Sequence, residues 1–397
     1  MKIAAIIDNT VGAGGGFDQA LNAVVQMQRL SSGRFDFEVF TSQPSNVEVL
    51  GKFGVNAVSF KYTWLDRLFI ILANSQIWQR AQQRLRLMGP LEKKLMLHGV
   101  DLVYFVTPAI AALGLQRINY ITTVWDLCHR DTPEFPEVRE FNTFFMRESL
   151  YRHLFAPAIL VLTDSPELAD RASFRYGVDR DRFLPMPFSA SPLLREATLT
   201  VEEVRSRYQI PLQYFYYPAQ FWAHKNHIRI LDALCILREK HKFQPIVVFS
   251  GKDYGNLNWV KNSITKRRLE SQVIVLGFVA SEEVSALYQG AAGIVMPTYF
   301  GPTNLPPLEA WSIGVPLIYS ANLSGQVRDA AEMVDPDDAQ SIANAMLNVL
   351  SYTRRAELIA AGKRRLEEID SERALAEHEL FKRLELFSIR RHCWSNE

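Results

Sequence analysis

Short apolar, β-branched runs alternate with longer amphipathic stretches along this whole chain, and that alternation restricts its fold more than any other feature. The candidate strands of a first series are Ile3–Asp8, Phe35–Thr41, Leu102–Val106, Tyr120–Trp125 and Ala158–Thr163. A second series runs Tyr214–Pro218, Pro245–Ser250, Val273–Leu276, Gly293–Met296 and Pro316–Tyr319. Strands separated by helical segments imply parallel sheets with crossover helices. The two series part near Pro185-Met-Pro-Phe-Ser-Ala-Ser-Pro192, where three prolines forbid both a helix interior and a central strand. The expectation is therefore an α/β protein of two domains, 1–190 and 191–375. A proline-free, highly charged helix at the C-terminal end, about Arg354 to Arg391, returns over 376–397 to pack on the first domain.

At 397 residues the chain suits two cores. A formal net charge of +1 gives no global reason to expect nucleic acid as a partner. Three cysteines, Cys128, Cys235 and Cys393, lie far apart without metal-ligand spacing and point to a reducing, cytoplasmic compartment. The first apolar run is too short for the core of a signal peptide, and no run reaches the roughly 18 apolar residues of a spanning helix.

Three loops at predicted strand ends carry the chemistry. Gly12-Ala-Gly-Gly-Gly16 follows the first strand, so Gly14, Gly15 and Gly16 allow close backbone approach to a ligand, although the dinucleotide spacing is missing. Tyr216-Tyr-Pro-Ala-Gln-Phe-Trp-Ala-His-Lys-Asn-His227 puts Lys225 where a helix should begin, a point charge suited to a diphosphate. Tyr299-Phe-Gly-Pro-Thr-Asn-Leu-Pro-Pro-Leu-Glu-Ala-Trp311 ends a strand and starts a helix, with Glu309 near its first turn. In open parallel sheets ligands bind at such carboxyl ends, and helix N-termini favour phosphates.

The pairing of the Lys225 segment with Gly301-Pro-Thr-Asn-Leu-Pro-Pro-Leu-Glu309 resembles the retaining glycosyltransferases of family GT4. The resemblance is closest to bacterial members that assemble lipopolysaccharide O-antigen. It implies the GT-B fold, two Rossmann-like domains whose parallel sheets face across a cleft. It further implies transfer of a hexose, mannose or a deoxyhexose such as rhamnose, from a nucleotide-sugar with retention. GDP, UDP and dTDP all remain open as the carrier, and neither a cofactor nor a metal is expected.

By the same resemblance Lys225 matches the family's diphosphate-binding lysine, while Gln220 stands at its arginine. Glu309 matches the second of two glutamates and holds the ribose; Gly301 replaces the first. Pro302, Thr303, Asn304 and Leu305 are expected to cradle phosphate and sugar. In Thr122-Thr-Val-Trp-Asp-Leu-Cys-His-Arg-Asp131, Trp125 occupies the family's histidine position. Asp126 and His129 are then the expected polar pair facing the reaction. Ser165, after the fifth strand, and Lys252, after Ser250-Gly, complete the expected surroundings.

Residues 61–94 combine Trp64, Leu65, Leu68, Phe69, Ile70, Ile71, Leu72 and Trp78 with seven basic and two acidic residues. That mixture suits an anionic bilayer surface or a lipid-diphosphate-linked acceptor, and hence a peripheral position at the inner face of the cell membrane. Two other readings stand beside the transferase. One is a sugar-nucleotide epimerase or phosphorylase on the same fold. The other is a non-catalytic sugar-nucleotide-binding subunit, favoured by Gly301 and Gln220.

Overall fold

The structure is a computed structural model and describes residues 1–10, 15–73, 75–85, 87–196, 199–301 and 303–394. By contact density the chain forms two units. The first holds Met1–Asp131, Phe141–Phe188 and Ser371–Glu397; the second holds Thr132–Glu140 and Ser189–Asp370.

Among the described residues the first unit contains seven parallel strands: β1 Lys2–Ile6, β2 Asp36–Thr41, β3 Ala57–Ser59, β4 Leu102–Phe105, β5 Asn119–Val124, β6 Leu160–Thr163 and β7 Phe183–Pro185. Their order is β3-β2-β1-β4-β5-β6-β7. The inner strands are apolar and closed from solvent on both faces, as β4 Leu-Val-Tyr-Phe shows, because crossover helices cover each side. Residues 371–397 belong to this unit. Phe381 packs against Phe35 with ring centroids 5.9 Å apart, Gln26 Nε2 donates to Glu377 Oε1 at 2.8 Å, and Arg373 Nε donates to the Pro187 carbonyl at 3.0 Å.

Among the described residues the second unit contains six parallel strands: β8 Tyr214–Pro218, β9 Ile246–Ser250, β10 Val273–Gly277, β11 Gly293–Met296, β12 Leu317–Ser320 and β13 Glu332–Val334. Their order, β10-β9-β8-β11-β12-β13, reverses direction of winding between β8 and β11. Side-chain and backbone signals set the helix ends. Thr200 and Glu203 form a reciprocal capping box before Val201–Tyr208. The helix Pro166–Tyr176 starts with Ser165 and proline and stops at left-handed Gly177.

Two differences from the sequence expectation concern what lies at the margins. β3, β7 and β13 are three-residue strands beyond the reach of pattern reading, and β7 ends in Pro185, which an edge strand tolerates. The segment 132–140, expected in the first domain, groups with the second unit. Its Phe135 ring lies 5.3 Å from Tyr299 and 5.5 Å from Phe300, and Glu137 bonds to His224. At its start Asp131 is held in the first unit by Arg171 and Arg175, and just past its end Phe141 and Asn142 take left-handed conformations.

Candidate functional site

The reversal in strand order places the carboxyl ends of β8 and β11 side by side, the point where an open parallel sheet forms a crevice. The loop after β8 turns through Ala223–Lys225 and left-handed Asn226 into the helix His227–Lys240. Asn226 Nδ2 donates to the carbonyls of Pro297 (2.9 Å) and Pro336 (2.8 Å), tying this turn to the loops after β11 and β13. The amide of Tyr299 donates to the His224 carbonyl at 2.9 Å, fastening the two crevice loops directly. Lys225 Nζ consequently meets Asn304 Oδ1 at 3.3 Å across 79 residues of sequence.

Gln220 is also in this loop, but its Oε1 accepts from Trp222 Nε1 at 2.9 Å, and Trp222 stacks on Tyr254 at 4.2 Å. The loop lies so close to β9 that a Cβ on Gly251 would stand 2.2 Å from the Ala219 carbonyl oxygen; glycine is required there. Lys252, the next residue, holds its ammonium 4.7 Å over the Phe278 ring.

On the facing loop Gly301 has φ +109°, and a Cβ there would lie 2.9 Å from both polar atoms of the Asn304 amide. Asn304 is buried and fixed: Nδ2 donates to Tyr319 Oη (2.7 Å) and to the Gly301 carbonyl (3.0 Å), and its N–H donates to Gln326 Oε1 (2.9 Å). It precedes the helix Leu305–Ile313, whose second and third residues are prolines. Proline has no N–H, so of the first three helical residues only Leu305 brings a donor to this end. Thr303 is half-buried beside them, whereas the expected role of Pro302 falls outside the described residues. Glu309 is buried within the helix, and its Oε2 accepts from Tyr288 Oη at 2.7 Å.

In the first unit the expected polar pair divides. Asp126 keeps 28% of its side chain exposed and bonds the Cys128 N–H at 2.9 Å and Arg147 Nη2 at 2.5 Å. Burial opposes its charge, but Arg147 and the Cys128 bond outweigh it and hold the pKa below the ordinary aspartate value. His129 has no exposed surface; its Nε2 faces Glu148 at 3.4 Å and Tyr176 Oη at 3.3 Å. Burial first, then Arg147, pushes it down to about 4. His129, expected beside Asp126 in an outward-facing pair, is instead buried inside the Glu148 ion cluster.

Gly15 and Gly16 open the helix Gly15–Ser31, and a Cβ on Gly16 would be in ordinary contact with Asn9 and Trp125; Gly14 lies outside the described residues. Ser165 Oγ accepts from the Leu168 N–H at 3.3 Å, so it caps a helix.

Residues 202–365 match the family described as glycosyl transferases group 1, a span that holds Lys225, Asn304 and Glu309. The second unit thus holds a segment similar to group 1 glycosyltransferases. Over 246 residues it is 27% identical to O-antigen chain mannosyltransferase B of Escherichia coli, covering 61% of this chain. The chain thus spans 64% of the length of the curated relative it matches. A glycosyltransferase from Rickettsia africae ESF-5 superposes with a TM-score of 0.69 at 15% identity, covering 97% of this chain and 98% of that one. Anabaena Alr3699/HepE, solved in complex with UDP-glucose, gives 0.71 at 16% identity, covering 96% and 99%. The fold is GT-B.

Around the crevice, His224 and Asn226 are residues that order the loops, and neither is expected from spacing alone. Glu137 is a third. Its Oε1 accepts from the His224 N–H at 2.9 Å and from His224 Nδ1. The Phe135-Pro-Glu137 sequence advertises a turn and nothing more; its partner lies 87 residues away. Arg147, which holds Asp126, is likewise one basic residue among many on a helix.

Proposed function

We propose that this chain transfers a hexosyl unit from a nucleotide-sugar to a glycan or lipid-diphosphate-linked acceptor, with retention, in the synthesis of a surface polysaccharide such as O-antigen. The observation that carries the reading is the meeting of Lys225 and Asn304 at the joined carboxyl ends of β8 and β11. Departure of a nucleoside diphosphate puts charge on its β-phosphate, and a fixed ammonium in a partly buried site stabilises that charge. Lys225 takes this role, with the N-terminal end of Leu305–Ile313 adding its dipole. Glu309 holds the nucleoside side and Thr303, Asn304 and Leu305 the phosphate and sugar. No cofactor enters the scheme.

Transfer breaks the bond from the sugar's anomeric carbon to the phosphate oxygen and forms one to an acceptor hydroxyl oxygen. With glycine at 301 no side chain there can act as a nucleophile. Attack on the leaving-group face therefore fits best, the acceptor proton passing to the departing phosphate oxygen. Asp126 orients acceptor or donor hydroxyls. Mannose is favoured as the sugar because the Escherichia coli relative is named a mannosyltransferase, and a deoxyhexose is the second choice. The complex of the Anabaena protein with UDP-glucose supports a nucleotide-sugar as donor, with GDP, UDP and dTDP as candidate carriers.

Membrane contact through 61–94 is part of the proposal. Asp66 and Glu92, the two acids of that segment, are turned inward: Asp66 bonds Lys94 at 3.2 Å, and Glu92 accepts three backbone N–H groups from Gln116, Arg117 and Ile118. Lys61, Arg67, Arg80, Arg84 and Lys93 stay exposed beside Trp64, Ile71 and Ile77. No helix among the described residues is long and apolar enough to cross a membrane.

A second reading, a non-catalytic sugar-nucleotide-binding subunit, is favoured by the engagement of Gln220 with Trp222 and by Gly301. Incubation of the full chain with GDP-mannose, UDP-glucose or dTDP-rhamnose, with and without polyprenyl-diphosphate-linked glycans, separates the two. Nucleoside diphosphate released only with acceptor, alongside a glycan heavier by one hexosyl unit, supports transfer. Binding of a donor with no product on any acceptor favours the binding subunit.

A further inference from the structure

The segment 132–140 brings a carboxylate into the second unit and leaves half of it unused. The Glu137 side chain is 7% exposed and that of His224 is 9% exposed. The His224 backbone N–H and its ring Nδ1 both bond to Glu137 Oε1. Oε2 is buried, and no hydrogen-bond donor among the described residues reaches it. Burial opposes ionisation of this group, yet the His224 bonds, helped by its own backbone N–H, hold its pKa below the ordinary glutamate value, so it is charged at neutral pH. An ionised carboxylate offers about four acceptor sites, and a buried one left half-satisfied is costly unless a ligand completes it.

The neighbours indicate which ligand. His224 precedes Lys225, the cation of the crevice, and its ring lies flat on Phe300 at 3.8 Å. Phe300 in turn leads into Gly301 and the fixed amide of Asn304. Phe135 closes the cluster, 5.5 Å from Phe300. A carboxylate among aromatic faces, next to a phosphate-binding cation, matches a pyranose: hydroxyls donate to the acid while C–H groups lie on rings.

We propose that Glu137 is a donor-sugar contact, accepting a hydroxyl of the glycosyl unit on Oε2, and that His224 is the positioning residue that holds it. The assignment rests on the nucleotide-sugar reading above. It makes the nine-residue segment 132–140 part of the donor site, so the second unit's sugar specificity is written partly in residues about fifty positions ahead of the rest of that unit.

The test is calorimetric titration of the full chain and of Glu137→Gln with GDP-mannose, UDP-glucose and dTDP-rhamnose, each beside its bare nucleoside diphosphate. Glutamine keeps an oxygen for His224 and replaces only the second oxygen by an amide. The expected result is a loss of about tenfold or more in affinity for the nucleotide-sugar, the size of one charge-assisted hydrogen bond, with the diphosphate unchanged within about twofold. Glu137→Asp, which keeps the charge but withdraws it, should show the same selective loss and serves if the glutamine variant unfolds. Equal losses for sugar and diphosphate, or no loss for either, overturn the assignment of Glu137 and leave the donor reading standing. A wild-type chain that binds none of the six compounds overturns both.

Discussion

The side-chain amide of Asn304 occupies the space that a Cβ on Gly301 would enter, 2.9 Å from it, while Gly301 itself holds φ +109°. At the position where the sequence resemblance implies a glutamate, this chain's loop is built around glycine. Substitution is therefore opposed twice, by the backbone and by a buried, fully bonded neighbour.

Gly301→Glu should thus fail to restore a carboxylate to the site. A non-glycine residue in such a conformation costs about 1–3 kcal/mol, before the Asn304 contact is counted. Urea denaturation is expected to show destabilisation of about that size for Gly301→Ala, and more for Gly301→Glu. A neutral or stabilised Gly301→Glu variant would show that the loop rearranges freely.

Acid sensitivity should come in part from two buried histidines. His227 has no exposed surface, stacks on Phe221 at 4.6 Å, and is pushed down to about 3 by burial and then by Lys225 and His224. His129 is pushed down to about 4. For a lowered histidine the unfolded chain binds protons first, so stability is constant above about pH 6.5 and falls as pH drops toward the folded value. Between pH 6.5 and 5 each should remove about 1.5 kcal/mol. His227→Phe, which keeps the ring stack, should flatten that slope by roughly half; an unchanged slope would assign it to other groups.

Vesicle binding follows from the exposed face of residues 61–94. The full chain should sediment with phosphatidylserine or cardiolipin vesicles, release as salt shortens the Debye length, and ignore neutral vesicles. Trp64 is 72% exposed and Ile71 69%, so changing both to serine should weaken binding without lowering thermal stability. Indifference to vesicle charge would exclude this surface.

Much of the scaffold is legible in the sequence because buried parallel strands are continuous apolar runs: of the ten expected strands, β8 and β11 are read to the residue and the others within about two, while the three-residue β3, β7 and β13 are missed. The loops of the crevice are legible by type, since Gly301 and Asn304 disfavour a helix interior or strand and Pro306 and Pro307 fit only a helix's first turn. What the chain does not disclose is pairing over distance. Asp126 looks free to join His129, but the fold hands it Arg147, and His129 turns inward to Glu148. Glu137 reads as one more charge in a proline-rich turn until His224 takes hold of it. Such partnerships depend on which loops the strand order brings together, and a single sequence carries no local mark of that.

Lys225→Ala tests the donor site most directly. Wild-type chain and variant would be melted with GDP, UDP and dTDP and with GDP-mannose, UDP-glucose and dTDP-rhamnose, since a ligand bound to the folded state raises Tm by mass action. A carrier-selective rise is expected for the wild type. Loss of the charged contact should weaken binding by about 10- to 100-fold and remove most of that rise, with Lys225→Arg retaining part of it. An undiminished rise in Lys225→Ala would contradict the placement of the donor diphosphate between β8 and β11.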